Sequence, residues 1–72
     1  MKNLTLPTEN QIKKDVQAYT NENGAINVNN YSHYLKYVKS IIMQEFNRQN
    51  IEFNFNDFQS IHNLYTRNLL VM

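Results

Sequence analysis

The stretch YSHYLKYVKSIIMQEF, residues 31–46, decides the fold. Its apolar positions are Tyr31, Tyr34, Leu35, Val38, Ile41, Ile42 and Phe46. Turned at 100° per residue, they fall within one continuous arc, the pattern of a helix packed on a core. Asn30 precedes the run, and its short amide side chain suits an N-cap. The helix is expected to reach about Gln49, where NRQN at 47–50 breaks the pattern. Leu35, Val38 and Ile42 are its expected deep core.

A second helix is expected upstream. In PTENQIKK, residues 7–14, Thr8 can accept from the first free backbone amides and Gln11 can return the bond, the spacing of a capping box. Ile12, Val16 and Tyr19 then recur at i, i+4 and i+7. NENG at 21–24 ends this helix at the only glycine of the chain, Gly24, and a left-handed terminus is where glycine costs least. Downstream, Asn56 with Gln59 has capping-box spacing again, followed by a stripe of Phe58, Ile61, Tyr65 and Leu69. LLVM at 69–72 is apolar all round, and either packs or seeks a partner.

Two phrases between the helices echo each other: INVNNY at 26–31 and FNFNDF at 53–58. Ile26 and Val28, then Phe53 and Phe55 with Ile51, alternate with other residues in steps of two, the pattern of a short half-buried extended segment. Such segments would feed the chain into the next helix, and LTLPTE at 4–9 is a weaker third copy. Paired in one sheet, consecutive strands would be parallel, with a right-handed crossover through the helix. The expected fold is mostly α: one small domain over 1–72, three helices with short extended segments preceding them.

Composition bounds the function. A 72-residue chain has a thin core, and chains of about this size usually lean on a disulfide, a metal or a partner. Cysteine is absent, and two histidines, His33 and His62, supply at most half of a tetrahedral metal site, so no metal or other cofactor is expected. Seven Lys and Arg against six Asp and Glu give a formal charge of +1, unlike the basic excess of a dedicated nucleic-acid binder. No apolar run is long enough to span a bilayer, and MKNLTLPTEN carries no apolar signal segment, so a cytoplasmic location is expected. Thirteen asparagines, with many Ile, Lys, Tyr and Phe, reflect AT-rich codons. That bias suits low-GC bacteria and their phages and mobile elements, and suits ordinary genes of an AT-rich genome equally. NLT at 3–5 and NYS at 30–32 match the glycosylation pattern and, with no secretory segment, are read as chance.

YTNENGAINVNNY, residues 19–31, resembles an EF-hand calcium loop: Asn21, Asn23, Gly24 and Ile26 fall at its third, fifth, sixth and eighth positions. The family requires Asp first and a bidentate Glu twelfth, where this chain has Tyr19 and Asn30. No calcium binding is therefore expected. For catalysis, His33, His62, Glu45, Glu52 and Asp57 are the available groups, in no nucleophile, phosphate-loop or paired-carboxylate arrangement. His62 reads as a boundary histidine beside Phe58 and Tyr65, and Glu45 as a partner either of Arg48 at i+3 or of a basic group on a partner chain.

Two surfaces remain. Tyr37 and Met43 fall on the outer half of the middle helix, and Leu64, Leu70 and Val71 lie off the stripe of the last. Apolar residues left outside the core of so short a chain suggest a protein-binding surface, including self-association. Alternatively, His33, Lys36, Tyr37, Lys39 and Gln44 interleave basic and aromatic groups on the middle helix, as a nucleic-acid contact would. A helix-turn-helix is not expected, because the gaps between helices exceed its short turn. The functional expectation is a non-enzymatic small protein that modulates a protein partner, an accessory or inhibitor of a phage or mobile element. A nucleic-acid-binding accessory factor is the alternative.

Overall fold

A computed structural model describes residues 4–67. Three helices follow one another: α1 over Glu9–Asn23, α2 over Tyr31–Arg48 and α3 over Phe55–Thr66. The fold is mostly α, as the periodicity requires, and α3 packs against both other helices. The expected Leu69 of the third stripe lies outside the described residues.

Each helix starts and stops for a local reason. Thr8 is extended, and its hydroxyl accepts from the Gln11 amide at 3.2 Å. The Gln11 side chain does not complete the capping box; it donates to Asp15 Oδ1 one turn on. α1 ends at Gly24, whose φ of 82° and ψ of −178° suit glycine alone, with its N–H donated to the Thr20 carbonyl. α2 ends in a Schellman motif. The Asn50 N–H bonds to Asn47 O and the Ile51 N–H to Phe46 O, while Asn50 takes a φ of 55°. Asparagine tolerates that left-handed position better than other side-chain-bearing residues. The motif returns Ile51 to the core beside Phe46.

The third helix begins one residue earlier than Asn56. Its N-cap is Asn54, extended, with the side-chain oxygen accepting from the Asp57 amide at 3.2 Å. A cap at Asn54 puts the Asp57 carboxylate in the first turn, where the exposed amides and the helix dipole favour an anion.

Among the described residues there is no strand. Between Ala25 and Asn30 the asparagine amides take the backbone groups that strand pairing would need. Asn27 Oδ1 accepts from the Asn29 amide at 2.8 Å, and Asn30 Oδ1 from the Asn27 amide at 2.8 Å. Asn30 Nδ2 donates to the Ala25 carbonyl at 3.0 Å. Such local side-chain bonds compete with regular structure and favour turns. Val28 rides this turn at 92% exposure while Ile26 packs on the core, so the alternation survives without a sheet. Asn30 precedes α2 as expected, but its side chain makes no cap bond, being spent on the loop.

The core is Tyr19, Tyr34, Val38, Ile42, Phe46, Ile61 and Tyr65. On α2 it is a single i, i+4 row: Tyr34, Val38, Ile42 and Phe46. Leu35, one position off that row, is only half-buried. Tyr34 fills the place expected for it, with its hydroxyl donating to the Tyr65 carbonyl at 2.8 Å.

Candidate interaction surface

Of the residues expected to bind a partner, Tyr37 is not on a free surface. Its hydroxyl donates to the Asp15 carbonyl of α1 at 2.8 Å, and its ring lies 5.2 Å from that of Tyr19. α1 covers a flank of α2 that an apolar arc centred on Val38 and Ile42 leaves open, and a tyrosine is long enough to reach across. Tyr37 thus belongs to an aromatic layer with Tyr19, Tyr31 and Tyr34. Met43 is exposed, at 40%, and Leu64 is half-buried. Leu70 and Val71 lie outside the described residues. We expect Tyr37→Ser to destabilise the fold by about 1–3 kcal/mol, through a lost aromatic contact and hydrogen bond, and Met43→Gln to stay within about 0.5 kcal/mol. Urea melts of the single variants check this; equal midpoints would contradict the placement of Tyr37.

The alternative surface is affected by the same placement. His33, Lys36, Lys39 and Gln44 are exposed, but Tyr37 is turned away from them toward α1. His33 is tethered, its Nδ1 lying 2.8 Å from the Tyr19 hydroxyl. The basic groups therefore stand on α2 without the free aromatic ring that was to interleave with them.

A different set of rings is exposed at the entry to α3. Phe53 is 50% and Phe55 64% exposed. Phe53 bridges inward, 5.5 Å from Phe46 and 5.9 Å from Phe58. Phe55 stacks on Phe58 at 6.4 Å and 17°, and Phe58 on His62 at 5.7 Å and 23°. The rings of Phe55, Phe58 and His62 thus form one ladder up α3, held against the core by Phe58 and open to solvent at Phe55. Hydrophobic packing inside the molecule would bury Phe55; the cap at Asn54 places it at the first helical position instead. The alternating FNFNDF hides this, because period two suggests half-burial. Asn54 with Asp57 three residues on is the signal that moves the helix start upstream and turns Phe55 out.

Elsewhere, residues Thr5–Thr8 strap a groove of about 460 Å³ of mixed polar and apolar lining against α1 and α2. The strap is clamped by Gln49, which accepts from the Thr5 amide at 2.8 Å and donates to the Thr5 carbonyl at 3.1 Å. Gln49 also donates to Glu45, which takes two bonds from the Arg48 guanidinium, the i+3 pairing the sequence suggests. The guanidinium holds the Glu45 carboxyl below the usual range for glutamate. At the groove floor Tyr65 donates to Asp15 Oδ2 at 2.5 Å. Burial, then this bond, pushes the Tyr65 hydroxyl up, so it stays a protonated donor. These polar side chains are occupied with one another, and the arrangement does structural work: it joins the strap and all three helices.

Among the described residues no three His, Cys, Asp or Glu come together in a way that would hold a metal, and no helix is long and apolar enough to cross a membrane. Comparison with protein-family models, with curated proteins and with solved structures finds no match.

Proposed function

We propose that this chain is a non-enzymatic binding protein that modulates a protein partner, docking through the aromatic edge of Phe53, Phe55 and Phe58 with Met43 as a further apolar contact. The observation that carries this reading is Phe55: a phenylalanine at 64% exposure, stacked on a half-buried ring that packs against the core. A single exposed apolar side chain means little, but contiguous aromatic surface marks interaction sites. Rigid aromatic anchors carry much of the binding energy of protein interfaces. The AT-weighted composition supports an accessory or inhibitor protein of a phage or mobile element in a low-GC bacterium. Nucleic-acid binding by α2 is the less supported reading, since Tyr37 is spent on α1.

Affinity capture from a nuclease-treated lysate of a low-GC bacterium tests the reading, with the wild-type chain and Phe55→Ser/Met43→Gln in parallel. Both side chains are exposed, so the double variant should melt within a few degrees of wild type. The expected result is a protein partner retained after nuclease treatment and lost with the double variant, or a concentration-dependent self-association in sedimentation lost in the same way. Capture that vanishes with nuclease, or that the variant retains unchanged, would overturn it.

A further inference from the structure

The chain's charges are divided unevenly along its length. From Gln49 to Thr66, across the loop and all of α3, there is no lysine or arginine, while Glu52 and Asp57 both lie there. The lysines of the described residues stand on α1 and α2, Arg48 is engaged by Glu45, and Arg67 caps the far, C-terminal end of α3. Asp57 has a local reason for its place in the first turn of α3. Glu52 has none: it is exposed, it precedes Phe53, and among the described residues neither it nor Asp57 forms an ion pair. In the chain Glu52 directly precedes Phe53 and Asp57 directly precedes Phe58, so the aromatic segment carries two carboxylates and no lysine or arginine, on a chain whose overall charge is positive.

We infer that the partner presents a cation to this edge, an arginine or lysine flanked by apolar side chains, with the charged group over the Phe53 and Phe55 faces and its charge answered by Glu52. The inference rests on the docking reading above and names the partner's chemistry. A ring face attracts a cation through its quadrupole, and a planar guanidinium stacks on it as well. The exposed Phe55 face continues a near-parallel ladder, which leaves a flat ledge of the right shape for such a group. The carboxylates also decide against nucleic acid here, since phosphate backbones are held by lysine and arginine and repelled by acids. The flanking apolar side chains of the partner would lie against the open edge of Phe53, toward Phe46.

The test uses the full ¹⁵N-labelled chain and two nine-residue peptides that alternate leucine with arginine or with citrulline, the neutral isostere of arginine. A fifteen-nucleotide oligothymidine is the third probe. The arginine peptide should move the amide signals of Glu52, Phe53, Phe55 and Phe58 saturably. It should bind about fivefold more tightly than the citrulline peptide, the size of one exposed cation–π contact. Glu52→Gln should weaken the arginine peptide severalfold and leave the citrulline peptide unchanged. Equal binding of the two peptides, binding of neither, shifts confined to other surfaces, or a preference of this edge for oligothymidine would each overturn the inference. If the peptides bind equally while Phe55→Ser/Met43→Gln still loses its captured partner, the edge docks a protein but not through a cation, so the docking reading stands and this one falls.

Discussion

Ile42→Ala is expected to bring the domain to the edge of unfolding. Ile42 is fully buried in the Tyr34–Val38–Ile42–Phe46 row, between Val38 and Phe46 along α2. Truncating a large aliphatic side chain in such a place costs about 2–5 kcal/mol, the transfer term plus the cavity left behind. A domain of 72 residues has a total stability of about 4–11 kcal/mol at ordinary values per residue. No disulfide is available to hold the chain together once the core is weakened. The urea midpoint should therefore fall by roughly 2 M or more, taking the slope usual for small domains. Val28→Ala is the matched control: at 92% exposure it should change stability by less than about 0.5 kcal/mol. An Ile42→Ala variant with an unchanged midpoint would mean that α2 faces the core with some other side.

The ease of reading α2 and the difficulty of reading its neighbours have one physical source. Helical period is a property of a single element, and an arc of seven apolar residues states it clearly. Which flank of that element a second helix covers depends on the partner helix, and no periodicity in residues 31–46 encodes it. Tyr37 shows the consequence: the wheel puts it away from the arc, but α1 comes in on that flank and accepts its hydroxyl at Asp15. Leu35 errs in the opposite direction, because the arc is wider than the row that α1 and α3 between them enclose. The loops mislead for a different reason. Apolar residues alternating with asparagine look extended, yet asparagine is the residue best able to satisfy the backbone locally, as Asn27 and Asn30 do. The same alternation concealed the exposure of Phe53 and Phe55, the centre of the candidate surface. The exposure of Met43 was legible because it is simply outside the arc. The absence of lysine and arginine from 49–66 was equally open to view, and only the geometry of the rings makes it informative.

Tyr34 should show the largest loss of all, and its two parts can be separated. The ring sits edge-on to Tyr19 at 5.2 Å and lies 6.3 Å from Tyr37, and the hydroxyl donates to the Tyr65 carbonyl. Tyr34→Ala removes ring and bond together and should cost about 3–5 kcal/mol, enough to unfold much of the population. Tyr34→Phe keeps the ring and should cost about 1–3 kcal/mol, the range for a lost buried hydrogen bond whose acceptor is left behind. A second signature comes from alkali. Burial, then neighbouring phenols and Asp15, push the Tyr34 hydroxyl above the ordinary phenol value, and Tyr65 is pushed up as well. The folded state therefore holds these protons after the unfolded chain has released its own. Stability present below about pH 10 is lost as pH rises through the folded values, by up to about 1.4 kcal/mol per pH unit for each phenol. Urea midpoints measured from pH 8 to pH 11 should fall for wild type above pH 10, and fall less steeply for Tyr34→Phe, which has one such proton fewer. Parallel alkaline slopes for the two proteins would show that Tyr34 is solvated rather than sealed between α2 and α3.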